Sequence, residues 1–399
     1  MDCFLLKCTL CNKTEVFALK GKCECGGTLL VEYDIELAAR TFTKANLKQR
    51  HSSMWKYHEL LPITNPNCIV SLGEGYTPLI RLNTWEQKLP LGKLYIKREE
   101  QNPTGSFKAR GFSAALTLLK ERGIVKAAVP SNGNAASAFA AYSGRAGIDA
   151  YVFIPQDCPY LIVEECLHYG AKTYLVDGLI HDAGAIVEAG KVEQGWFNVG
   201  TLREPGRVEG KKTMGFEIAE QLEWTLPDVI IYPTGGGSGV IGLWRAFSQL
   251  LELGLVNGEM PRIAAVQEYG CTPICDAFQE TGLTVYATLP APTGMRVPEP
   301  PDRQLVASII RKMNGTTVTV TQAEIRAAAA ATGLSGISSS PEGAATWAGM
   351  LRLCETGWIQ KKDKVVLFNT SHAMKYSAGK HASHIPLIKS YQDFLDVRK

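Results

Sequence analysis

Apolar and polar positions follow two different patterns along the chain. In the first 34 residues, two strand-like runs, FLLKC and TLLVEYD, flank a cluster of cysteines. From Tyr95 onward, short β-rich runs alternate with Ala-rich stretches of helical length. Alternation of strands with helices predicts a doubly wound, mostly parallel α/β sheet.

The predicted elements can be placed on the sequence. The strand-like runs are KLYIKRE, KAAVPS, DAYVFIP, AKTYLVD, DVIIYPT, RIAAVQE and DKVVLFN. The helical stretches are residues 108–122, 134–146, 161–169, 180–193, 210–223, 239–252 and 341–355. A proline-rich segment, residues 286–304, is predicted to form a long surface connection.

A length of 399 residues suggests about two domains. We expect residues 35–110 and 226–399 to form a large α/β domain and residues 111–225 a smaller one. The cysteine-rich residues 1–34 would form a separate N-terminal segment.

The composition excludes several classes of protein. A net charge of +3 gives no case for nucleic acid or an anionic membrane as partner. The chain shows neither a signal peptide nor an apolar run of the roughly 20 residues that span a bilayer. Eleven cysteines without an export signal indicate thiols or metal ligands in a reducing cytoplasm.

Three loops that follow predicted strands carry chemistry. Ligands of open α/β sheets bind where strands lead into helices. The loop TGGGSGVIG holds four glycines within residues 235–239, and successive free N–H groups there would form a nest for phosphate oxygens. Residues 237–242 also satisfy GxGxxG, and Glu268 ends the next strand, which leaves a nicotinamide-dependent dehydrogenase as an alternative.

The other two loops are ambiguous when taken singly. SNGNAAS, residues 131–137, offers hydroxyls, amides and backbone N–H groups suited to a carboxylate, but such residues also cap helices routinely. NPTGSFKARG, residues 102–111, places Lys108 at a helix start, where burial and the helix terminus would favour its neutral amine. A lone lysine is otherwise a solvated surface charge.

Taken together, the loops suit pyridoxal phosphate, whose aldehyde needs a lysine and whose phosphate needs a nest. After DKVVLFN comes Thr370, and a hydroxyl facing the pyridine nitrogen would leave that nitrogen neutral. A neutral ring is a weaker electron sink, which favours elimination and replacement at the β or γ carbon over transamination.

At this point the chain resembles a known family, the fold type II pyridoxal-phosphate enzymes with the tryptophan-synthase-β-like fold, and among them the threonine synthases. The resemblance runs roughly from Leu72 to Lys375. It rests on SLGEGYTPL, NPTGSFKARG, SNGNAASAFAAYSGRAGI, YPTGGGSGVIGLWRAF, SPEGAATWAG and NTSHAMK. The segment 200–222 also looks like the threonine-synthase branch and is expected to help position the substrate.

The resemblance implies a role for individual residues. Lys108 would form the Schiff base and act as the catalytic base. The implied cofactor-binding residues are Lys108, Asn134, Gly235, Gly236, Gly237, Ser238, Gly239 and Thr370. The implied substrate-binding residues are Ser131, Asn132, Asn134, Ala135, Arg110 and His372, the last two for a substrate phosphate.

The activity implied is that of a lyase converting O-phosphohomoserine and water to threonine and phosphate, in a homodimer. Two departures leave the substrate open. Ala109 follows the lysine where threonine synthases commonly have Asp, and Ala373 ends a stretch in which they have Gly. The alternative is β-elimination or β-replacement on a serine-, threonine- or phosphoserine-like amino acid.

The N-terminal cysteines form two pairs, Cys8-x2-Cys11 and Cys23-x-Cys25, which resemble a zinc ribbon. Four thiolates suit a tetrahedral structural Zn²⁺ with no open position. The single residue within the second pair departs from the usual spacing, so free thiols are an equal alternative. A nucleic-acid-binding ribbon is disfavoured by the near-neutral charge.

Overall fold

The computed structural model describes residues 4–281, 292, 294–377, 386 and 388–397. The strands are β1 Phe4–Cys8, β2 Thr14–Val16, β3 Leu29–Tyr33, β4 Leu79–Arg81, β5 Lys93–Arg98, β6 Lys126–Pro130, β7 Asp149–Pro155, β8 Lys172–Val176, β9 Phe197–Asn198, β10 Val229–Pro233, β11 Arg262–Glu268, β12 Thr316–Val320 and β13 Lys364–Asn369. The helices are α1 Ile35–Ala39, α2 Lys44–Gln49, α3 Asn83–Glu86, α4 Lys108–Glu121, α5 Asn134–Ala146, α6 Tyr160–His168, α7 Ile180–Ala189, α8 Lys191–Gln194, α9 Gly206–Gln221, α10 Ser238–Glu252, α11 Pro273–Gln279, α12 Arg303–Lys312, α13 Gln322–Leu334, α14 Pro341–Glu355 and α15 Tyr391–Val397.

Three sheets organise these elements. A six-stranded sheet has the order β12-β11-β10-β13-β5-β4 and is parallel except for β4 at its edge. A four-stranded parallel sheet has the order β8-β7-β6-β9, and a three-stranded antiparallel sheet at the N-terminus has the order β2-β1-β3. The strands of both parallel sheets alternate with helices along the chain, which confirms the predicted α/β fold.

The seven strands predicted from Tyr95 onward and the seven predicted helices are all present, and FLLKC and TLLVEYD pair as β1 and β3. Strand β12 was not predicted because TTVTV has no apolar run: four of its five residues are half-buried. Helices α11, α12 and α13 were also not predicted.

The proline-rich segment was predicted to form a surface connection, but part of its described portion is buried. Residues 286–291 and 293 lie outside the described residues. Met295 and Arg296 are only 1% and 2% exposed, and Arg296 pairs with Asp157 at 2.6 Å. This part of the segment therefore runs into the interior, where it meets the smaller parallel sheet's loops.

The N-terminal sheet is attached to the helices behind the larger sheet. The Tyr33 hydroxyl donates to Glu209 of α9 at 2.7 Å, and both groups are buried. Arg245 of α10 donates to the carbonyl oxygen of Val31, and Thr28 donates to Asp302 at 2.5 Å. The cysteine-rich segment is thus fixed to α9, to α10 and to the N-terminus of α12.

A network of fully buried charges joins β5, α4 and α9. Arg110 of α4 donates to Glu217 of α9 at 2.5 and 2.7 Å and to Glu99 at 2.7 Å. Lys97 of β5 donates to the same Glu217 at 2.7 Å. Burial alone would raise the pKa of Glu217, but Arg110 and Lys97 outweigh it and hold that pKa at about 2.

We expect Glu217→Gln to lower the free energy of unfolding by about 3–5 kcal/mol, because it leaves two buried cations without their shared carboxylate. The loss is measured by urea unfolding at pH 7. The native pKa lies below the ordinary value of 4.5, so the wild-type advantage is present above pH 4.5 and shrinks as the pH falls toward 2.

Glu280→Gln is the matched control, since Glu280 pairs with Arg311 at 2.8 Å on the surface. Its cost should stay below about 1 kcal/mol. Equal costs for the two variants would contradict a structural role for the buried network.

Candidate active site

The turn before Lys108 is tied to the end of β13 by backbone hydrogen bonds. The Phe107 N–H donates to the Thr370 carbonyl at 3.0 Å, and Ser106 forms an isolated bridge with Ser371. Gly105, at φ 62°, lets the chain turn sharply just before them. These bonds place the first residue of α4, Lys108, beside Thr370.

The loop at residues 131–137 leads directly into α5. This helix begins without a side-chain cap, so its first N–H groups remain available to a ligand. Asn134 donates through Nδ2 to the Tyr376 hydroxyl at 2.8 Å. The other amide atom, Oδ1, is buried and has no hydrogen-bond partner among the described residues.

The glycine loop leads from β10 into α10, which also begins without a side-chain cap. Gly237 has φ 78°, a conformation that favours glycine. A Cβ on Gly235 would lie 2.5 Å from the carbonyl oxygen of Gly294, so the loop also packs too closely for a side chain there. The result is a short backbone cradle at a helix N-terminus, suited to an anion.

The three loops and the end of β13 line one cavity of about 450 Å³. Most of the residues predicted for the site line it, namely Lys108, Ser131, Asn132, Asn134, Ala135, Gly235, Gly236, Gly237, Ser238, Gly239 and Thr370. The structure therefore brings the lysine, both helix N-termini and Thr370 together in one place.

The cavity favours a neutral lysine. Burial and, to a smaller extent, the guanidinium of Arg207 together lower the pKa of Lys108 to about 7. The carboxylate of Glu342 acts in the opposite direction. The cavity therefore favours the unprotonated, nucleophilic amine far more than water does.

Arg207 is a cavity residue that the sequence analysis did not identify individually. Its guanidinium is buried and donates to the Val199 carbonyl at 2.9 Å, while Nε has no partner among the described residues. Burial lowers the pKa of Arg207 to about 10, although the nearby Glu204 opposes this. The signal available was its place within the segment 200–222, which was expected to position the substrate.

Two residues predicted to bind a substrate phosphate are not among those that line the cavity. Arg110 is 0% exposed and is occupied by Glu99 and Glu217. His372 accepts from the Met374 N–H through Nδ1 at 3.1 Å, which makes it a cap for the short helical turn that follows. Arg207 lines the cavity, whereas these two residues do not.

Comparison with known proteins identifies the family. The sequence model of the pyridoxal-phosphate dependent enzymes matches residues 70–371. The chain belongs to this family, and its cofactor is pyridoxal phosphate.

The predicted resemblance to threonine synthases is also confirmed. The threonine synthase of Methanocaldococcus jannaschii is 33% identical over 377 residues, which cover 93% of each chain. That of Methanosarcina acetivorans is 34% identical over 380 residues, covering 93% of this chain and 92% of the relative.

Solved structures share the fold at lower identity. Maize serine racemase superposes with a TM-score of 0.63 at 21% identity, covering 74% of this chain and 89% of the other. Threonine deaminase isoform 2 of Solanum lycopersicum gives 0.63 at 20% identity, covering 81% and 82%. These likenesses confirm the predicted fold type II architecture.

The residues present fit the cofactor. The cradle at residues 235–239 suits its phosphate, and Lys108 suits its aldehyde. Asn134 Oδ1 and Ser371 Oγ are buried in the cavity wall without partners among the described residues, as expected for groups that meet polar substituents of a ring. The nicotinamide alternative is set aside because Glu268 instead accepts from the Gly270 N–H at 2.7 Å and is not among the lining residues.

The lowered pKa of Lys108 predicts how the reactivity of its amine depends on pH in protein freed of cofactor. Its acetylation by a trace of acetic anhydride, followed by mass spectrometry, should reach half its maximal rate near pH 7. Arg207→Met should move this midpoint up, because a positive neighbour is lost, and Glu342→Gln should move it down.

Lys172 provides the internal control, since its pKa is raised above the ordinary lysine value by its hydrogen bond to Tyr151. If the acetylation rate of Lys108 depended on pH in the same way as that of Lys172, the cavity would not be lowering the pKa of the Lys108 amine.

Proposed function

We propose that the protein is a threonine synthase, a lyase that converts O-phosphohomoserine and water to threonine and phosphate. The carrying observation is that one cavity offers three separate places for anions: the N-terminus of α10, the N-terminus of α5, and Arg207. They match the cofactor phosphate, the substrate carboxylate and the substrate phosphate. Relatives named threonine synthase over 93% of the chain support the same reading.

We infer that residues 235–239, Asn134, Thr370 and Lys108 hold the cofactor. When bound, pyridoxal phosphate supplies an electron sink for the carbanion formed at the α carbon of an amino acid. The Thr370 hydroxyl, facing the pyridine nitrogen, would leave that nitrogen neutral.

The substrate carboxylate would bind at the start of α5. Ser131 accepts from the Gly133 N–H at 3.1 Å, which fixes the loop. Asn132 donates to the Arg296 carbonyl at 2.6 Å and so ties the loop to the larger sheet's side of the cavity. The free N–H groups of residues 134 and 135 then point along the helix axis toward the carboxylate.

Lys108 would carry the proton transfers. Its amine has a pKa of about 7 and lies in the cavity, so it can accept the α-proton, release it, and then accept a proton from the β carbon. Arg207 would hold the phosphate while it leaves the γ carbon, since its unpaired Nε offers a charge-assisted hydrogen bond. The γ carbon would then take up a proton to become the methyl group, and the hydroxyl of water would add at the β carbon. A proton would return to the α carbon, and the remaining proton of the water would leave with the phosphate.

The test is to offer O-phosphohomoserine and O-phosphoserine separately to the purified enzyme, recording phosphate release and amino-acid products. We expect threonine and phosphate in equal amounts from the first. Arg207→Gln should lower kcat/KM for it by about 10- to 100-fold, the loss of one charge-assisted contact.

The exposed Arg203→Gln is the control, because Arg203 also lines the cavity but is half solvated. Its effect should be several-fold at most. Phosphate release from O-phosphoserine alone would replace the proposal with β-elimination or β-replacement, and keto acid formed from threonine or serine would indicate a dehydratase.

We propose further that the N-terminal segment holds a structural zinc ion. The four Sγ atoms of Cys8, Cys11, Cys23 and Cys25 lie within 4.8 Å of one another. Cys8 and Cys25 are 3.4 Å apart and Cys11 and Cys23 are 3.8 Å apart. Thiolates bound tetrahedrally at about 2.3 Å from zinc are about 3.8 Å apart, so the cluster needs little rearrangement.

Metal analysis of the purified protein should give one zinc per chain. Cys11→Ser should abolish binding and lower the melting temperature, because the segment that carries β3 and its Tyr33–Glu209 contact loses its cross-link. Cys354→Ser, remote from the cluster, should change neither. A metal-free protein in which four additional thiols react with a disulfide reagent would support the free-thiol alternative.

In the part of the chain that the structure describes, we find no helix with the length and apolar composition of a membrane span. A homodimer in the cytoplasm, acting on a small amino-acid substrate without nucleic acid, remains our prediction. The three-part division at residues 34, 110 and 225 also remains a prediction.

A further inference from the structure

Lys211 differs from the other buried lysines of the chain. Apart from Lys108 in the cavity, the other buried lysines among the described residues each contact a carboxylate: Lys56 with Glu220, Lys97 with Glu217, Lys212 with Glu209 and Lys375 with Glu165. Lys211 is 0% exposed and has no carboxylate within 4 Å in the described ranges. Its ammonium donates to a neutral acceptor, Ser238 Oγ, at 2.8 Å.

The surroundings of Lys211 make the lack of a nearby carboxylate more unfavourable. Burial lowers its pKa well below the ordinary value, and the positive charges of Arg207 and Lys108 lower it further. Glu204 is the acidic group that opposes them, yet its carboxylate accepts from the N–H groups of residues 206 and 207. A buried ammonium in this position needs an anion that the described side chains do not supply.

The position of Ser238 indicates which anion this is. Ser238 is the first residue of α10 and lines the cavity within the glycine loop. A phosphate bound at the N–H groups of this loop would lie next to the Ser238 hydroxyl and hence close to the ammonium behind it. A phosphate carries up to two negative charges, enough to offset Lys211 and part of the charge of Arg207.

Lys211 is not among the residues that line the cavity, whereas its partner Ser238 is. We propose that Lys211 stabilises the cofactor phosphate from behind the glycine loop, through the Ser238 hydroxyl to which it donates at 2.8 Å. The glycine cradle then supplies the shape and the N–H groups, and Lys211 supplies a full positive charge. This positive charge would make the protein bind the phosphorylated cofactor more tightly. This inference depends on the family and its cofactor, not on the identity of the substrate.

The test compares pyridoxal phosphate with pyridoxal, which lacks the phosphate, in cofactor-free protein. Dissociation constants come from absorbance titrations of wild type and Lys211→Met. We expect the variant to lose about 10- to 100-fold in affinity for pyridoxal phosphate and to bind pyridoxal as the wild type does. The preference for the phosphorylated form should fall by that factor.

Lys212→Met is the matched control, one residue along the same helix. Lys212 contacts Glu209 at 2.5 Å and lies 4.1 Å from the centre of the Tyr33 ring, facing the N-terminal sheet. Its substitution can lower stability, but it should leave the ratio of the two dissociation constants unchanged.

Thermal unfolding provides a second measurement that does not depend on activity. Removing an unpaired buried charge should leave the melting temperature of cofactor-free Lys211→Met equal to or above that of the wild type. The stabilisation gained on adding pyridoxal phosphate should shrink.

Two outcomes would overturn the proposal. Equal losses for pyridoxal and pyridoxal phosphate would make Lys211 a structural residue. An unchanged ratio, together with weaker inhibition of the holoenzyme by inorganic phosphate, would assign Lys211 to the substrate phosphate instead.

Discussion

The shared carboxylate of Glu217 is the interaction on which the geometry of the active site depends. It accepts hydrogen bonds from Arg110 of α4, from Lys97 of β5 and from the backbone N–H of Tyr76. A buried carboxylate is tolerated when its partners keep their geometry. Helix α4 therefore cannot rotate or slide against α9 without leaving charges unpaired.

This constraint matters because the two helices carry the site's cations. Lys108 is the first residue of α4, and Arg207 and Lys211 lie on the first turns of α9. The same network that excludes Arg110 from the cavity holds these three groups close enough to influence one another's pKa. Lys108 and Arg207 line the cavity together with the uncapped N-termini of α5 and α10, an arrangement that suits anions and lowers the pKa of the lysine amine.

Local sequence predicted the bounds of an element well where the residues at its own ends determine where it begins and stops. Helices 134–146 and 341–355 have the predicted bounds, because each begins just after a strong turn or cap. Helix α9 begins four residues earlier than predicted, since Glu204 accepts its first N–H groups and Pro205 precedes it. The threonine-rich β12 forms because β11 supplies its backbone hydrogen-bond partners. This pairing joins segments far apart in the sequence, so no apolar run within TTVTV predicts the strand.

The sequence by itself determined the class of site: a lysine turn, a Ser-Asn-Gly loop and a glycine cradle, each at the end of a predicted strand. The structure divides these strands between two sheets, with β5 and β10 in the larger and β6 in the smaller, so the packing of the two sheets' loops brings the three together. Only the tertiary structure decided which cations face that site. Residues two apart on a helix point about 200° away from each other, so Arg110 leaves the cavity that Lys108 enters. Lys211 and Lys212 are identical and adjacent, yet a rotation of about 100° sends one beneath the glycine loop and the other to Glu209. That difference depends on what packs against each face of α9, which no local pattern records.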